Sequence, residues 1–222
     1  MVLPVGISLV VGYLLGSVNF AVLVAKSHGV DILTQGSGNP GATNVKRVLG
    51  KGPGNLVFGL DVLKGAIGTG LGYATGYFSG ILLNPASAGA GTNPIFLICV
   101  AGFTGTLLGH CFSCFLKFKG GKGVASTIGG LLVLLPVPIL IGALLWVVVF
   151  FLSRYVSLAS LVLGVSLPLS CWFLPQFTSL RFSPAEFWFA AAIAAFNVWT
   201  HRSNIQRLIR GEENRFNKPK TS

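Results

Sequence analysis

Four polar stretches carry residue types able to bind phosphate or move a proton. The first is Gly36-Ser37-Gly38-Asn39-Pro40-Gly41-Ala42-Thr43-Asn44-Val45-Lys46-Arg47. Its glycines allow consecutive backbone N–H groups to converge on an anion. Ser37, Asn39, Thr43 and Asn44 add neutral hydrogen-bonding groups, and Arg47 adds a bidentate fork suited to phosphate. A flexible loop is the plainer alternative. Glycines 36, 38 and 41 match GxGxxG, but that fingerprint belongs after a strand, and here it follows an apolar run of membrane-helix length. The second stretch, Lys117-Phe118-Lys119-Gly120-Gly121-Lys122-Gly123, places three lysines around a glycine pair. Lysines suit phosphate as mobile point charges, though they serve equally as a topology signal. No Walker A motif is present. In the third, His201-Arg202-Ser203-Asn204-Ile205-Gln206-Arg207-Leu208, a helix would put His201 and Asn204 on one face. His201 there is a base, a phosphate donor or a structural histidine. The fourth, Arg154-Tyr155-Val156-Ser157-Leu158-Ala159-Ser160, offers two hydroxyls and a cation.

The elements that must position these groups are membrane helices. The 222 residues carry a net charge of +11, yet only 9% are charged and 52% are hydrophobic. Soluble domains are about 25% charged. At about 20 residues per span the apolar content allows at most about seven helices. The basic residues sit in short clusters between long apolar runs, the pattern of cytoplasmic loops, so nucleic acid is excluded as a partner. Only five acids occur, Asp31, Asp61, Glu186, Glu212 and Glu213, too few for paired-carboxylate chemistry or an Asp-rich metal motif. Cys99, Cys111, Cys114 and Cys171 read as small buried hydrophobes. The first run lacks a basic n-region and reads as a retained helix.

Apolar runs cover about 3–25, 54–80, 94–112, 124–152, 158–174 and 185–200. The fourth holds Pro136-Val137-Pro138 and reads as one broken span or as two short helices. Charge arbitrates. Seven helices, with the N-terminus outside and the C-terminus cytoplasmic, put 14 of the 16 basic residues inside. Six would place Arg154 and the basic tail outside, against the positive-inside bias. The expected fold is therefore all-α, a polytopic membrane protein with seven helices, some short. All four polar stretches then face the cytoplasm. Asp61 and Lys64, at i,i+3, form an intramembrane pair. Gly65, Gly68, Gly70, Gly72 and Gly76 permit close helix packing. Engineered cysteines at positions 87, 157 and 221 would test this, with only position 87 exterior.

The strings GSGNPGATNVKR (36–47), DVLKG (61–65), GHCFSCFLKFKGGKGVAS (109–126), RYVSLAS (154–160) and HRSNIQRLIRGEE (201–213), in that order, resemble the bacterial integral-membrane acyl-phosphate:glycerol-3-phosphate acyltransferase family. The resemblance spans nearly the whole chain. One departure is Ser113, where the family usually has proline after GHxF, and a changed loop turn is expected there. The resemblance implies a single acyltransferase domain over 1–222 in the bacterial cytoplasmic (inner) membrane, its active site facing the cytoplasm. The reaction it implies is transfer of a fatty acyl group from acyl phosphate to the sn-1 hydroxyl of glycerol 3-phosphate, giving lysophosphatidic acid and phosphate, the first acylation of phospholipid synthesis. It implies no cofactor and no metal, and functional coupling to the enzyme that makes acyl phosphate. Its functional residues fall on Ser37, Thr43, Arg47, Lys119, Lys122, Ser157, His201 and Asn204. Gly36, Gly38, Asn39, Gly41, Asn44, Gly120 and Gly121 are expected to complete the phosphate sites. Acyltransferases of the His-x-x-x-x-Asp type are excluded, because Leu33, Phe115 and Gln206 stand where the aspartate would follow His28, His110 and His201. The alternatives are a transporter or channel for an organic phosphate, a head-group phosphotransferase and a membrane scaffold. The polar groups gather at one face and not at the midplane, which disfavours transport.

Overall fold

A computed structural model describes residues 1–80 and 93–216. Position 87 and position 221 lie outside the described residues. Among those described, every regular element is helical: α1 Val2–Ser17, α2 Phe20–Ser27, α3 Ala42–Leu49, α4 Lys51–Phe78, α5 Pro94–Cys111, α6 Val124–Leu134, α7 Pro136–Ser153, α8 Val156–Phe177, α9 Pro184–Thr200 and α10 Arg202–Ile209, with a 3₁₀ turn at Cys114–Leu116. Four segments, Val2–Ser27, Pro94–Leu116, Pro136–Ser153 and Val156–Phe177, are long and apolar enough to cross a bilayer. The chain groups into two compact units, Met1–Leu134 and Leu135–Ser222.

Proline and capping residues set the boundaries. Pro136 lacks an N–H and forces Leu135 out of helical geometry (φ −138°, ψ 63°), so the apolar run 124–152 divides into α6 and α7. The two-helix reading holds, but the halves are unequal at 11 and 18 residues. Asn93 caps α5 ahead of Pro94. Ser183 and Glu186 form a capping box ahead of α9. Two elements were not anticipated. The first polar stretch turns helical at Ala42, and the first apolar run breaks between α1 and α2.

Within the first unit the carbonyls at that break are satisfied by side chains, as an apolar surround demands. Lys64 Nζ donates to the Val18 carbonyl at 2.9 Å. Ser113 Oγ donates to the Ser17 carbonyl at 2.6 Å. Asn19 Oδ1 accepts from the Val22 amide at 3.0 Å and caps α2. Ser113 has φ −62°, a value proline adopts, and its hydroxyl supplies a tie proline would lack. Small residues let the helices touch, which supplies association where no hydrophobic force acts between spans. A Cβ at Gly65 would fall on the Ser126 carbonyl, at Gly68 on Thr106, and at Gly72 on the backbone of Cys99. Gly70, expected to join them, faces open space. Cys99 and Cys111 are buried, whereas Cys114 is exposed, against expectation.

In the second unit, α8 packs against both α7 and α9. Trp146 Nε1 donates to Ser160 Oγ at 3.1 Å, and Asn197 Nδ2 donates to the Ser160 carbonyl at 2.7 Å. Ser160 is thus a junction of that unit. Leu144, Phe151, Leu152, Trp172 and Trp188 are exposed, as lipid-facing side chains are where the bilayer is the solvent.

Candidate active site

The first polar stretch is a loop that opens α3. A small core of Ala21, Val22, Ala25, Ile32, Val45 and Val57 fixes α3 against its neighbours. Asn44 then shapes the loop. Its Oδ1 accepts from the Ser37 amide at 2.8 Å, and its Nδ2 donates to the carbonyls of Ile32 and Gln35 at 3.2 and 2.9 Å. Gly36 has φ 61°, and a Cβ there would strike Asn44 Oδ1. Asn44 is fully buried, and its three hydrogen bonds hold the loop.

The expected ring of loop amides is also revised. The amides of Ser37, Gly38 and Gly41 already donate to Asn44 Oδ1 and to the carbonyls of Gln35 and Asn39. Helix amides without intrahelical partners lie one turn on. Ala42 and Thr43 open α3, and the first N–H groups of a helix have no partner inside it. The positive end of the helix dipole is there as well. Thr43 and Arg47 follow at i,i+4 on one face. Among the described residues, the hydroxyls of Ser37 and Thr43 make no hydrogen bond. Ser37 and Arg47 are exposed, and Asn39 is half-buried beside them.

The lysine loop closes back on α5. The Gly121 amide donates to the His110 carbonyl at 3.1 Å, the Phe118 amide to the Ser113 carbonyl at 2.9 Å, and the Lys119 amide to the Leu116 carbonyl at 3.0 Å. Gly120 and Gly121 lie so close to the helix end that a Cβ on either would strike His110. Lys117 and Phe118 both take left-handed conformations (φ 52° and 58°), which cost about 1–2 kcal/mol per non-glycine residue. Such strain survives only where surrounding contacts enforce it. Lys119 is exposed and Lys122 half-buried.

Beneath this loop lies a buried ionic cluster. Asp61 Oδ1 is 2.8 Å from Lys64 Nζ, the pair anticipated at i,i+3. His110 Nδ1, which was not anticipated, is 3.6 Å from the same oxygen. The Lys64 ammonium also lies 5.4 Å from the centre of the Phe20 ring.

In the second unit the third and fourth stretches meet. His201 is buried and closes α9. Its Nδ1 lies 2.9 Å from the Asn197 carbonyl. A carbonyl only accepts, so Nδ1 carries the proton and the neutral ring has its lone pair on Nε2. Asn204, on α10, donates from Nδ2 to Glu213 Oε1 at 2.7 Å. Ser157 Oγ donates to the same oxygen at 2.8 Å, and Arg207 Nε donates to Oε2 at 2.7 Å. Glu213 therefore joins Ser157 and Asn204 and holds α10 to the start of α8. It was not among the expected site residues. The available signal was that it is one of five acids in the chain, inside a motif rich in Arg and Asn.

Burial raises the Glu213 carboxyl, but hydrogen bonds from Asn204, Arg207 and Ser157 outweigh that and hold it below the ordinary carboxylate value. A depressed carboxylate stabilises the fold at neutral pH, and that contribution is lost as pH falls through its folded-state value. Glu213→Gln is expected to melt below wild type at neutral pH, and the gap is expected to close on acidification. Thermal melts in detergent across that range check it.

The chain matches the model of the Glycerol-3-phosphate acyltransferase family over residues 6–211. A glycerol-3-phosphate acyltransferase of Endomicrobium trichonymphae is 40% identical over 208 residues, covering 93% of each chain. One of Aquifex aeolicus is 41% identical over 207 residues, covering 92% of this chain and 95% of its own. The crystal structure of PlsY (YgiH), an integral membrane glycerol 3-phosphate acyltransferase, in its glycerol 3-phosphate form superposes with a TM-score of 0.77 at 36% identity, covering 96% of both chains. Its lysophosphatidic acid form gives a TM-score of 0.73 at 38% identity, covering 96% of this chain and 95% of that one. With a match of this length to the family model and relatives of this identity, the chain belongs to the glycerol-3-phosphate acyltransferase family.

Proposed function

We propose that this protein transfers a fatty acyl group from acyl phosphate to the sn-1 hydroxyl of glycerol 3-phosphate, releasing lysophosphatidic acid and phosphate, the first acylation of phospholipid synthesis. The observation that carries this reading is the opening of α3, where two helix N-terminal amides and the hydroxyls of Ser37 and Thr43 gather one turn from Arg47, in a chain similar along its length to enzymes of that name. The PlsY forms with glycerol 3-phosphate and with lysophosphatidic acid support the acceptor and the product. The acid-poor composition supports acyl phosphate as donor, because that donor arrives activated.

In this reading Ser37, Thr43, the α3 amides and Arg47 hold one phosphate, with Gly36, Gly38, Asn39 and Gly41 shaping the approach. Lys119 and Lys122, carried by Gly120 and Gly121, hold a second phosphate or offset charge developing on the acyl carbonyl oxygen. His201 and Asn204 orient glycerol phosphate, with Ser157 beside them. The sn-1 oxygen attacks the acyl carbon, a new C–O ester bond forms, and the bond from the acyl carbon to the phosphate oxygen breaks. The hydroxyl proton passes to His201 Nε2 or to a phosphate oxygen. Orientation supplies much of the remaining rate.

The chain works as one domain over 1–222 in the cytoplasmic (inner) membrane of a bacterium. Seven crossings place the N-terminus outside and the C-terminus in the cytoplasm: α1 with α2, then α4, α5, α6, α7, α8 and α9. This puts α3, the lysine loop and α10 on the cytoplasmic side. The 11 residues of α6 reach about 16 Å, short of a hydrocarbon core of about 30 Å, so α6 is sheltered by α4 and α5. Cysteine labelling at positions 87, 157 and 221 tests the topology. The enzyme that supplies acyl phosphate is the expected functional partner.

Lys122→Ala is expected to lose about 1.5–3 kcal/mol of transition-state stabilisation, the worth of a charge-assisted bond. Measured kcat/KM for the variant checks it, and near-wild-type turnover removes Lys122 from the site.

A further inference from the structure

We propose that His110 is a positioning residue for the lysine loop: its ring, lodged between the Asp61 carboxylate and the Gly121 backbone, sets where Lys119 and Lys122 stand. This rests on the reading that those lysines bind phosphate.

Three observations converge on the ring. It is buried, at 4% exposure, in the last turn of α5. Nδ1 points to Asp61 Oδ1 at 3.6 Å, beyond hydrogen-bond length, and has no other partner. On its opposite edge, Nε2 occupies the space that a Cβ on Gly121 would need. The ring therefore fills the gap between an ion pair fixed in α4 and a loop with no side chain of its own at that point. Asp61 is itself held by Lys64, which reaches across to the Val18 carbonyl at the α1–α2 break. The lysine loop thus sits on a chain of buried polar contacts running back into the helices.

The backbone of the loop shows why a seat is needed. Lys117 and Phe118 are consecutive left-handed residues that carry side chains. The Lys119 amide to Leu116 carbonyl bond closes a turn around them, and contacts at the two ends of the loop help hold it. Ser113 supplies one end, accepting the Phe118 amide. The bond from the Gly121 amide to the His110 carbonyl supplies the other. That second bond is backbone to backbone and survives substitution of the side chain. What the ring adds is a fixed floor beneath Gly121. Removing it lets the strained segment relax and the lysines drift.

The test uses full-length protein in detergent and three variants. His110→Ala removes the floor. His110→Gln keeps a side chain long enough to reach Gly121. His110→Asn keeps a polar group near Asp61 but falls short of the loop. Two readouts are taken beside Tm: KM for glycerol 3-phosphate and for acyl phosphate, and the rate at which trypsin cuts after Lys119 and Lys122. For Ala and Asn, cutting at those bonds is expected to rise about tenfold through local opening. KM for at least one substrate is expected to rise by about the same factor with kcat changed less, the mark of lost binding shared by ground and transition states. Gln is expected to return both to near wild type. Wild-type cutting and unchanged KM in Ala and Asn overturn the proposal, as does a fall in kcat alone. If Ala does not fold, the contrast between Asn and Gln decides by the same readouts. Unchanged KM values in Lys119→Ala and Lys122→Ala would instead overturn the phosphate reading, and the trypsin rates would still judge the seat.

Discussion

Asp61→Ala is expected to destabilise the first unit by about 3–5 kcal/mol, the cost of breaking a buried pair and leaving one charge uncompensated. Lys64 is 2% exposed and has no water to retreat to. Its remaining contacts, the Val18 carbonyl and the Phe20 ring, neutralise no charge. The loss also spreads, because the ammonium closes the backbone break between α1 and α2. Removing both charges with Asp61→Leu and Lys64→Met is expected to cost less than Asp61→Ala alone, since an apolar pair of similar volume replaces the ions. The double variant still leaves the Val18 carbonyl unsatisfied, so it is not expected to exceed wild type. Thermal melts of the three proteins in one detergent check the order. A wild-type melt for Asp61→Ala would mean that Lys64 is solvated or neutral at that depth.

His201→Ala is expected to lower kcat by about 10²–10⁴-fold, the range for a positioned general base. The geometry favours the role in one respect: the Asn197 carbonyl fixes the proton on Nδ1, which makes Nε2 the basic nitrogen. A lost base also removes the limb of the pH–rate profile that reports its ionisation. His201→Ala that is slow but keeps a limb near neutrality would assign the proton to a substrate phosphate and leave His201 as an orienting group. His201→Gln helps separate the two, since it can donate and accept hydrogen bonds but does not titrate.

Much of this was legible in the sequence because the signals were redundant. Pro136 and the Asp61–Lys64 spacing each pointed to a feature that two or more physical rules require. The apolar runs mapped onto helices within a few residues. The misreadings share a cause. Asn44 and the amides of Ser37, Gly38 and Gly41 were read as free to bind a ligand, because composition reveals donors and acceptors but not which are already paired. The helix at Ala42 was hidden by glycine and asparagine upstream, which also serve to lead into a helix. Glu213 and His110 went unassigned because each has a partner distant in sequence. Ser157 is 56 residues from Glu213, and Asp61 is 49 residues from His110. Only tertiary folding brings these together.

Purified protein in detergent, given acyl phosphate with and without glycerol 3-phosphate, reports the proposed transfer through phosphate release. Release is expected to require glycerol 3-phosphate and to be matched one for one by lysophosphatidic acid. Release that proceeds equally without glycerol 3-phosphate, or that yields free fatty acid in place of lysophosphatidic acid, would contradict it.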